Sequence, residues 1–241
     1  MKKLLVWISS YTGHLNINLI KYLDNFPVPE GWGIWKSYVT RMPIHMARDL
    51  LLKKMVEDNY DKLIMIDDDE YPIDKDCFLN LLLDDKDMVS WIVRLRTKKE
   101  NLCILHRERY LKWEKWWYEW MWKYVNYKEV PKKWLFKIDN AWCWLICIDR
   151  KVAEVMLNKY WWEPFEQRSI VYCKMSNGDF IEFGYHWKDI YLDKSWKPKL
   201  CRRMLSEDYL FFERAVEQWF QLRADSEAKV AHLWNPEIIL P

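Results

Sequence analysis

The sequence predicts an α/β protein with a mainly parallel central sheet. Over residues 1–95, apolar runs that suit buried strands alternate with segments of helical periodicity, which is typical of a parallel sheet covered by helices. With 241 residues, the chain is long enough to bury a full core in one domain. Its composition, 51% hydrophobic and 31% charged, indicates a globular protein and excludes a disordered one.

The individual elements are predicted from local patterns. Pro43 suits the first turn of a helix, and Ser206 followed by two acids is a good helix start. Strands are expected at 4–9, 34–40, 62–66 and 87–95, with further apolar runs at 135–138 and 145–148. Helices are expected at 14–25, 74–84 and 150–159, from Pro43 up to Asn59, and from Ser206 onward.

Residues 96–135 break the alternation. The stretch 110–124 is basic and aromatic without a clean period, which predicts an irregular insertion or a hairpin packed on the core. Because aromatic faces stack sugars and bases alike, an acceptor-binding surface is the functional alternative. Residues 160–204 are expected to be rich in loops, with a hairpin turn at Asn177-Gly178. No linker or repeat divides the chain, so 1–241 is expected to form a single domain.

Four consecutive carboxylates, residues 67–70, directly follow the predicted strand at 62–66. Pro72 is expected to end this run, which puts the acids at the carboxyl end of the strand, where ligands bind in open α/β sheets. In extended geometry Asp67 and Asp69 would point to the same side. Two such oxygen ligands suit Mg²⁺ or Mn²⁺ together with phosphate oxygens. The alternative is that these acids only cap a helix or solvate a turn.

The charge of the chain is small overall but unevenly distributed. A net charge of +2 does not indicate nucleic-acid binding. Residues 61–90, however, carry ten acids against three lysines, and residues 94–137 carry thirteen Lys and Arg against five Glu. This asymmetry predicts a cation site beside a region that contacts a polyanionic ligand.

The cysteines and the amino-terminal residues indicate the cellular compartment in which the protein is expected. The six cysteines include no Cys-x-x-Cys pair, so we expect them to be reduced and mostly buried in a cytoplasmic protein. The apolar run at 4–8 is too short for a signal peptide or a membrane span.

Three features occur in the order and spacing of one known family. The first is an Arg-containing helix that leads into a strand ending in Asp-x-Asp, here Arg48 and Asp67-Asp68-Asp69. The second is a later Glu-Asp pair that opens a helix, here Glu207-Asp208. The third is a terminal Val-x-His, here Val230-Ala231-His232. On these motifs, residues 1–95 and 136–235 resemble a glycosyltransferase of the GT-A fold, close to the family-2 group. The resemblance implies a Rossmann-like three-layer α/β/α sandwich, with 96–135 as a variable acceptor region.

The resemblance also implies a donor site for a UDP- or GDP-sugar. Asp69, Asp67 and His232 would bind Mn²⁺ or Mg²⁺, which stabilises the departing diphosphate. The residues expected to line the nucleotide-sugar pocket are Ser10, Tyr11, Arg48, Asp67 and Asp68.

On the acceptor side, the resemblance implies that Asp208 is the general base of a single, inverting displacement, with Glu207 as the alternative base. Trp142 and Trp144 would contact the acceptor, which could be a glycan, a lipid-linked sugar or a modified DNA base.

Two other classes of function fit parts of the same sequence. A nucleotidyltransferase or a phosphatase could use the acidic strand end. A phosphatase would need Asp67 as nucleophile, a downstream Lys and further acids, and the sequence shows no clear arrangement of these residues. A non-catalytic protein could bind nucleic acid through the Trp- and Lys-rich segment 107–137 by charge and stacking.

The chain contains 18 Trp but only 5 Gly. Tryptophan occupies positions where the family usually has glycine, namely Trp91, Trp142, Trp144, Trp219 and Trp234. Glycine serves tight turns and close backbone approach at such positions. We therefore hypothesise that many of these tryptophans correspond to UGA codons that the source reads as glycine. Genuine tryptophans at 142 and 144 would narrow the sugar pocket.

Overall fold

The computed structural model describes residues 1–10, 15–93, 102–114, 117–132, 134–141, 145–161, 164–165, 170–174, 180–183, 202–203, 207–234 and 237–239. Its strands are β1 (Lys2–Ser10), β2 (Trp32–Thr40), β3 (Lys62–Asp67), β4 (Glu70–Pro72), β5 (Met88–Ile92), β6 (Ile104–Glu114), β7 (Trp117–Asn126), β8 (Leu135–Lys137), β9 (Asn140–Ala141), β10 (Leu145–Asp149), β11 (Ile170–Lys174), β12 (Phe180–Phe183), β13 (Arg202–Arg203), β14 (Leu222–Trp234) and β15 (Glu237–Ile239). Its helices are α1 (Ile17–Asn25), α2 (Ile44–Glu57), α3 (Cys77–Leu83), α4 (Arg150–Lys159) and α5 (Glu207–Glu217).

The central sheet has the strand order β15-β14-β5-β10-β3-β1-β2, and β4 and β8 join it through β14. β1 pairs in parallel with β2 and β3, and β5 pairs in parallel with β14. β10 lies antiparallel between β3 and β5, so β3 and β5 share one direction. The predicted mainly parallel sheet is therefore confirmed.

Helices cover both faces of this sheet. Leu4, Val6 and Ile8 of β1 pack in one core with α1 and α3. Leu5 and Trp7, which alternate with them, pack in a second core with α2, α4 and α5. The side-chain period of two in a strand produces this division. Because the central strands are buried on both faces, they read as continuous apolar runs in the sequence. The three-layer α/β/α arrangement is confirmed.

Most predicted helices and strands are observed within a few residues of their expected bounds. α4 has its predicted bounds because Asp149 caps it, with Oδ1 accepting a hydrogen bond from Lys151 N at 3.1 Å. α3 begins later than predicted, because Asp74 Oδ1 accepts a hydrogen bond from Asp76 N at 2.9 Å in a turn before the helix. The four residues that follow Ser10, 11–14, lie outside the described residues.

Two regions in the middle of the chain contain more sheet than their sequence indicated. β6 and β7 pair antiparallel from Leu105↔Asn126 to Glu114↔Trp117, so the hairpin alternative for 96–135 is confirmed. Within 160–204, β11, β12 and β13 form a small sheet, and the antiparallel pairing of β11 with β12 agrees with the predicted hairpin. β11 and β12 flank Asn177-Gly178, which itself lies outside the described residues. Cross-strand pairing of such short segments leaves no local periodic signal.

The described cysteines agree with the prediction of reduced, buried thiols. Cys77, Cys103 and Cys147 are free and buried. Burial raises the pKa of the Cys103 and Cys147 thiols to about 12, which makes both poor nucleophiles.

Among the described helices, none has the length and apolar character needed to cross a membrane.

Candidate active site at the carboxyl ends of β1 and β3

The acidic segment is tied to the end of the neighbouring parallel strand. The register of β1 and β3 places Ser9 opposite Asp67. Ser9 Oγ donates a short hydrogen bond to Asp67 Oδ1, and Ser10 Oγ donates to Asp68 Oδ2 at 2.5 Å. Asp68 N donates to Ser9 O at 3.0 Å. Two adjacent carboxylates are thereby fixed at the edge where parallel strands of an open sheet bind ligands.

The geometry predicted for Asp67 and Asp69 is wrong in one respect. Asp67 is the last residue of β3, whereas Asp68 and Asp69 form a turn before β4 begins. Asp67 and Asp69 are expected to point to the same side because both would lie in one extended strand. Since Asp69 lies in a turn, that reason does not apply. Pro72 is the last residue of β4, a three-residue strand paired with β14, so it ends that strand and not β3, which already ends at Asp67. Proline is tolerated there because a short flanking strand needs few ladder hydrogen bonds.

Arg48 connects this acidic end to a distant part of the chain. It lies in α2 and is only 2% exposed. Its Nη1 donates to Glu207 Oε1 at 2.9 Å and makes a short contact with Asp208 Oδ1. Its Nη2 lies 4.0 Å from Asp67 Oδ1. Both acids of the predicted Glu-Asp pair therefore meet the acidic strand end through one guanidinium group.

The start of α5 explains how the Glu-Asp pair is held. Glu207 and Asp208 form the acidic first turn of the helix, where the helix dipole favours negative charge. Both are buried, at 8% and 2% exposure. The predicted N-cap, Ser206, lies outside the described residues. Burying two carboxylates next to one arginine costs desolvation free energy, which the ion pairs have to offset.

Glu70 adds a further buried carboxyl group to this region. It is fully buried in β4, and its backbone lies opposite His232 in the antiparallel register with β14. Burial raises the pKa of Glu70 well above its usual range, the charge of Asp67 raises it further, and Arg48 opposes the rise. β14 thus brings the backbone of His232 beside the acidic turn, while the side chain of His232 lies outside the described residues.

The donor set fits a hard divalent cation. Asp67, Asp68 and Asp69 are half-buried carboxylates next to one another. Mg²⁺ and Mn²⁺ need only one or two protein carboxylates, because water and phosphate oxygens complete their shells. Among the residues whose side chains are described, no three His, Cys, Asp or Glu groups form a ready-made metal cluster. The chemistry therefore suits a metal that binds together with a phosphate ligand more than a closed structural metal site.

The predicted acceptor residues and one nucleotide residue fall outside the described chain. These are Tyr11, Trp142 and Trp144. The backbone on the near side of 142–144 is described: β9 pairs with β6, and Asn140 Nδ2 donates to Tyr209 O of α5 at 3.4 Å. β9 therefore lies next to the first turn of α5.

Sequence reasoning missed three residues that shape the site. Ser9 could have been found from the parallel register, because the last residues of β1 and β3 are adjacent. Asn140 had a weaker signal, as a polar residue between two apolar runs. Phe165, which is fully buried and lies under Arg48 at 5.9 Å, carried no local signal.

The fold and the site together define an α/β protein with an acidic cluster at the carboxyl edge of its sheet. No protein-family model and no curated protein sequence matches the chain. Among solved structures, A197 from STIV superposes with a TM-score of 0.54 at 18% identity, over 100% of this chain and 94% of A197. The two proteins therefore share a fold.

Two further solved structures align over part of the chain. Mannose-1-phosphate geranyltransferase from Thermus thermophilus has a TM-score of 0.35 at 13% identity, over 66% of this chain and 61% of its own. A mutant UDP-glucose pyrophosphorylase from Leishmania major, in complex with UDP-glucose, has a TM-score of 0.27 at 14% identity, over 58% of this chain and 33% of its own. Superpositions this loose carry no functional argument.

Proposed function

We propose that this protein is a metal-dependent glycosyltransferase that moves a sugar from a nucleoside-diphosphate sugar to an acceptor hydroxyl. The observation that supports it best is the convergence of two sets of carboxylates on Arg48. One set, at the end of β3, accepts hydrogen bonds from Ser9 and Ser10 of β1, reaches Arg48 through Asp67, and suits a cation and a diphosphate. The other set, Glu207 and Asp208, suits a general base.

On the donor side, Asp69 and Asp67 would hold Mn²⁺ or Mg²⁺, with His232 as the third ligand. The metal, when bound, would offset the charge that develops on the leaving diphosphate. Ser10, Tyr11 and Asp68 would line the nucleotide pocket. Ser10 and Asp68 already bond each other at the strand edge, which orders that wall of the pocket.

On the acceptor side, Asp208 would accept the proton of the attacking hydroxyl in an inverting displacement. The hairpin of β6 and β7 supports an acceptor region nearby. β6 pairs with β9, and Asn140 of β9 bonds the first turn of α5, so the hairpin is joined to the element that carries Asp208. A glycan, a lipid-linked sugar and a modified DNA base are all compatible with this surface.

Calorimetry with UDP, GDP and their common sugar conjugates, with and without Mn²⁺, tests the donor site. We expect one nucleotide to bind only with Mn²⁺, and Asp69→Asn to lower that affinity about 100-fold, because loss of second-shell partners alone costs about 10–100-fold at metal sites. The matched control is Asp24→Asn, an acid on α1 whose side chain is 63% exposed and paired with Lys36. Absence of nucleotide binding in either metal condition would contradict the proposal.

A non-catalytic nucleic-acid binder makes the opposite prediction. Such a protein would bind DNA with an affinity that falls steeply as salt rises, and it would turn over no sugar nucleotide. Parallel titrations with duplex DNA at two salt concentrations separate the two functions.

A further inference from the structure

Arg48 faces carboxylates from two other elements of the fold. Its Nη1 contacts Glu207 and Asp208 of α5, and its Nη2 lies 4.0 Å from Asp67 of β3. The side chain is 3% exposed. Three acids therefore share one buried cation, and removing it would increase their mutual repulsion.

A second set of contacts packs an aromatic ring against the guanidinium group. Its Cζ lies 5.9 Å from the ring centroid of Phe165. That ring stacks on Phe211 of α5, with centroids 4.1 Å apart and planes 5° from parallel. Phe165 N also donates to Asp49 Oδ1 of α2 at 2.8 Å. The platform under Arg48 is thus fixed to both α2 and α5.

We propose that Arg48 is a positioning residue for the base of the transfer reaction and not a contact to the donor diphosphate. It holds Asp208 and Glu207 in one orientation relative to Asp67 and the donor site. A planar guanidinium can serve several carboxylates at once in a fixed geometry, whereas the ammonium of lysine acts as a point charge. This inference rests on the proposed glycosyltransferase function.

The test compares Arg48→Lys with Arg214→Lys, a second buried arginine, whose Nη1 instead donates to Pro164 O at 2.6 Å. We measure UDP and GDP affinity in Mn²⁺, and kcat and KM for hydrolysis of the corresponding sugar nucleotide. Arg48→Lys should keep nucleotide affinity within about 3-fold and lower kcat about 100-fold at unchanged KM. Arg214→Lys should leave these constants close to wild type.

A tenfold loss of nucleotide affinity in Arg48→Lys would overturn the inference and assign Arg48 to the diphosphate. Failure of the wild type to bind any nucleotide would instead contradict the proposed function. A thermal double-mutant cycle of Arg48→Lys and Asp208→Asn keeps the two failures apart. We expect its midpoint shifts to be non-additive, and additive shifts would overturn the inference whatever the nucleotide result.

A separate observation concerns the tryptophans at two helix ends. Trp219 has φ +68° and is 92% exposed, and Trp161 has φ +56° and is 83% exposed. Each is the second residue after its helix, α5 or α4. Phe220 N donates to Ala215 O at 3.2 Å and Trp219 N to Val216 O at 2.9 Å. These are the two hydrogen bonds of a Schellman motif, whose left-handed position is usually glycine.

The same motif ends α2 with a residue that suits it. Tyr60 N donates to Met55 O, and Asn59 N donates to Val56 O, with Asn59 at φ +56°. Asparagine tolerates the left-handed region, whereas a bulky side chain is strained there. The indole rings at 161 and 219 are almost fully exposed, so little packing offsets that strain.

A third tryptophan shows a different misfit. Trp91 is fully buried in β5 and stacks on Phe78, with centroids 5.1 Å apart. Its indole N–H has no hydrogen-bond acceptor among the described residues. Buried indole N–H groups usually find a partner, because leaving one unpaired is unfavourable.

We infer that glycine is the native residue at positions 161 and 219. The backbone there adopts the conformation that glycine favours, in a chain with 18 Trp and 5 Gly. The same replacement at 142 and 144 would widen the proposed sugar pocket.

Equilibrium unfolding of the Trp-containing chain gives the physical test. Trp219→Gly and Trp161→Gly should each raise the folded-to-unfolded ratio about 5- to 30-fold, and Trp219→Ala should not, because alanine retains the Cβ clash. Trp134→Gly is the matched control, since Trp134 is 54% exposed without a positive φ. Reading the codons completes the test: UGA at 161 and 219, with glycine found there by peptide mass spectrometry of the naturally made protein, is expected, and UGG at either position would overturn the inference.

Discussion

The two ends of β3 both carry buried charge, but among the described side chains only one end has an excess of one sign. At the amino end, Lys62 Nζ lies 3.7 Å from Asp149 Oδ2 beside a cavity of about 220 Å³. The charged groups lining that cavity are balanced, four against four: Lys2, Lys62, Arg150 and Lys151 with Asp61, Asp85, Asp149 and Glu154. At the carboxyl end, the single guanidinium of Arg48 faces Asp67, Glu207 and Asp208.

Among the described side chains, the difference separates charges that balance each other from acids that outnumber their shared cation. Paired charges at the amino end compensate each other locally, as where Arg150 Nε lies 3.4 Å from Glu154 Oε1. At the carboxyl end, Asp67, Glu207 and Asp208 share the one guanidinium of Arg48 among the contacts of the described side chains. A bound divalent cation would be the largest local charge there and would relieve this repulsion.

Replacing the proposed base should produce the largest effect on chemistry. Asp208→Asn should lower transfer about 10²- to 10⁴-fold, because a positioned general base contributes that much, while nucleotide affinity in Mn²⁺ stays unchanged. Glu207→Gln serves as the comparison. A larger loss in Glu207→Gln than in Asp208→Asn would move the base assignment to Glu207. Steady-state kinetics with calorimetry on the same samples measures both quantities.

Removing the buried cation at each end of β3 should affect stability unequally. Arg48→Met should lower the free energy of unfolding by about 3–5 kcal/mol, because it removes the cation that pairs with the buried carboxylates of Glu207 and Asp208. Lys62→Met should lower it by about 1–2 kcal/mol, because Asp149 is partly exposed and reaches water. Urea denaturation measures both. Equal losses would contradict the contrast between the two ends.

The smallest expected effect depends on pH and concerns Asp84, a buried acid near Lys62. Burial, reinforced by the charge of Asp225, raises the pKa of Asp84 to about 6. Between about pH 4 and 6 the folded state therefore holds a proton that the unfolded state has released, so stability falls as pH rises through that range. Asp84→Asn should remove this fall and raise the free energy of unfolding at pH 7 by about 1–2 kcal/mol.

The control for Asp84→Asn is Asp85→Asn at the neighbouring position, which has φ +45° and tolerates asparagine. Urea midpoints at about pH 3.5 and pH 7, on either side of that range, should show the same fall in Asp85→Asn as in the wild type. The same pH dependence in both variants would show that Asp84 is not the group that titrates.

Several parts of the candidate site followed from local sequence. The acidic strand end was predictable because an apolar run before carboxylates signals a buried strand, and the acidic start of α5 was predictable from helix capping. The turn at Asp68 and Asp69 was not predictable, because nothing in Asp-x-Asp distinguishes an extended segment from a turn. The hairpin of β6 and β7 was only one of two alternatives, since its basic and aromatic residues have no clean period.

The sequence by itself determined the alternation of strands and helices, their approximate bounds and the chemical character of each end. Those features depend on side-chain period, capping and turn residues, which act over a few positions. Only the tertiary structure decided that Ser9 bonds Asp67 and that Arg48 meets Glu207 and Asp208, which lie 159 and 160 residues away in the chain. Strand order and helix packing set such contacts, because burying the two faces of one sheet brings together elements that no local pattern relates.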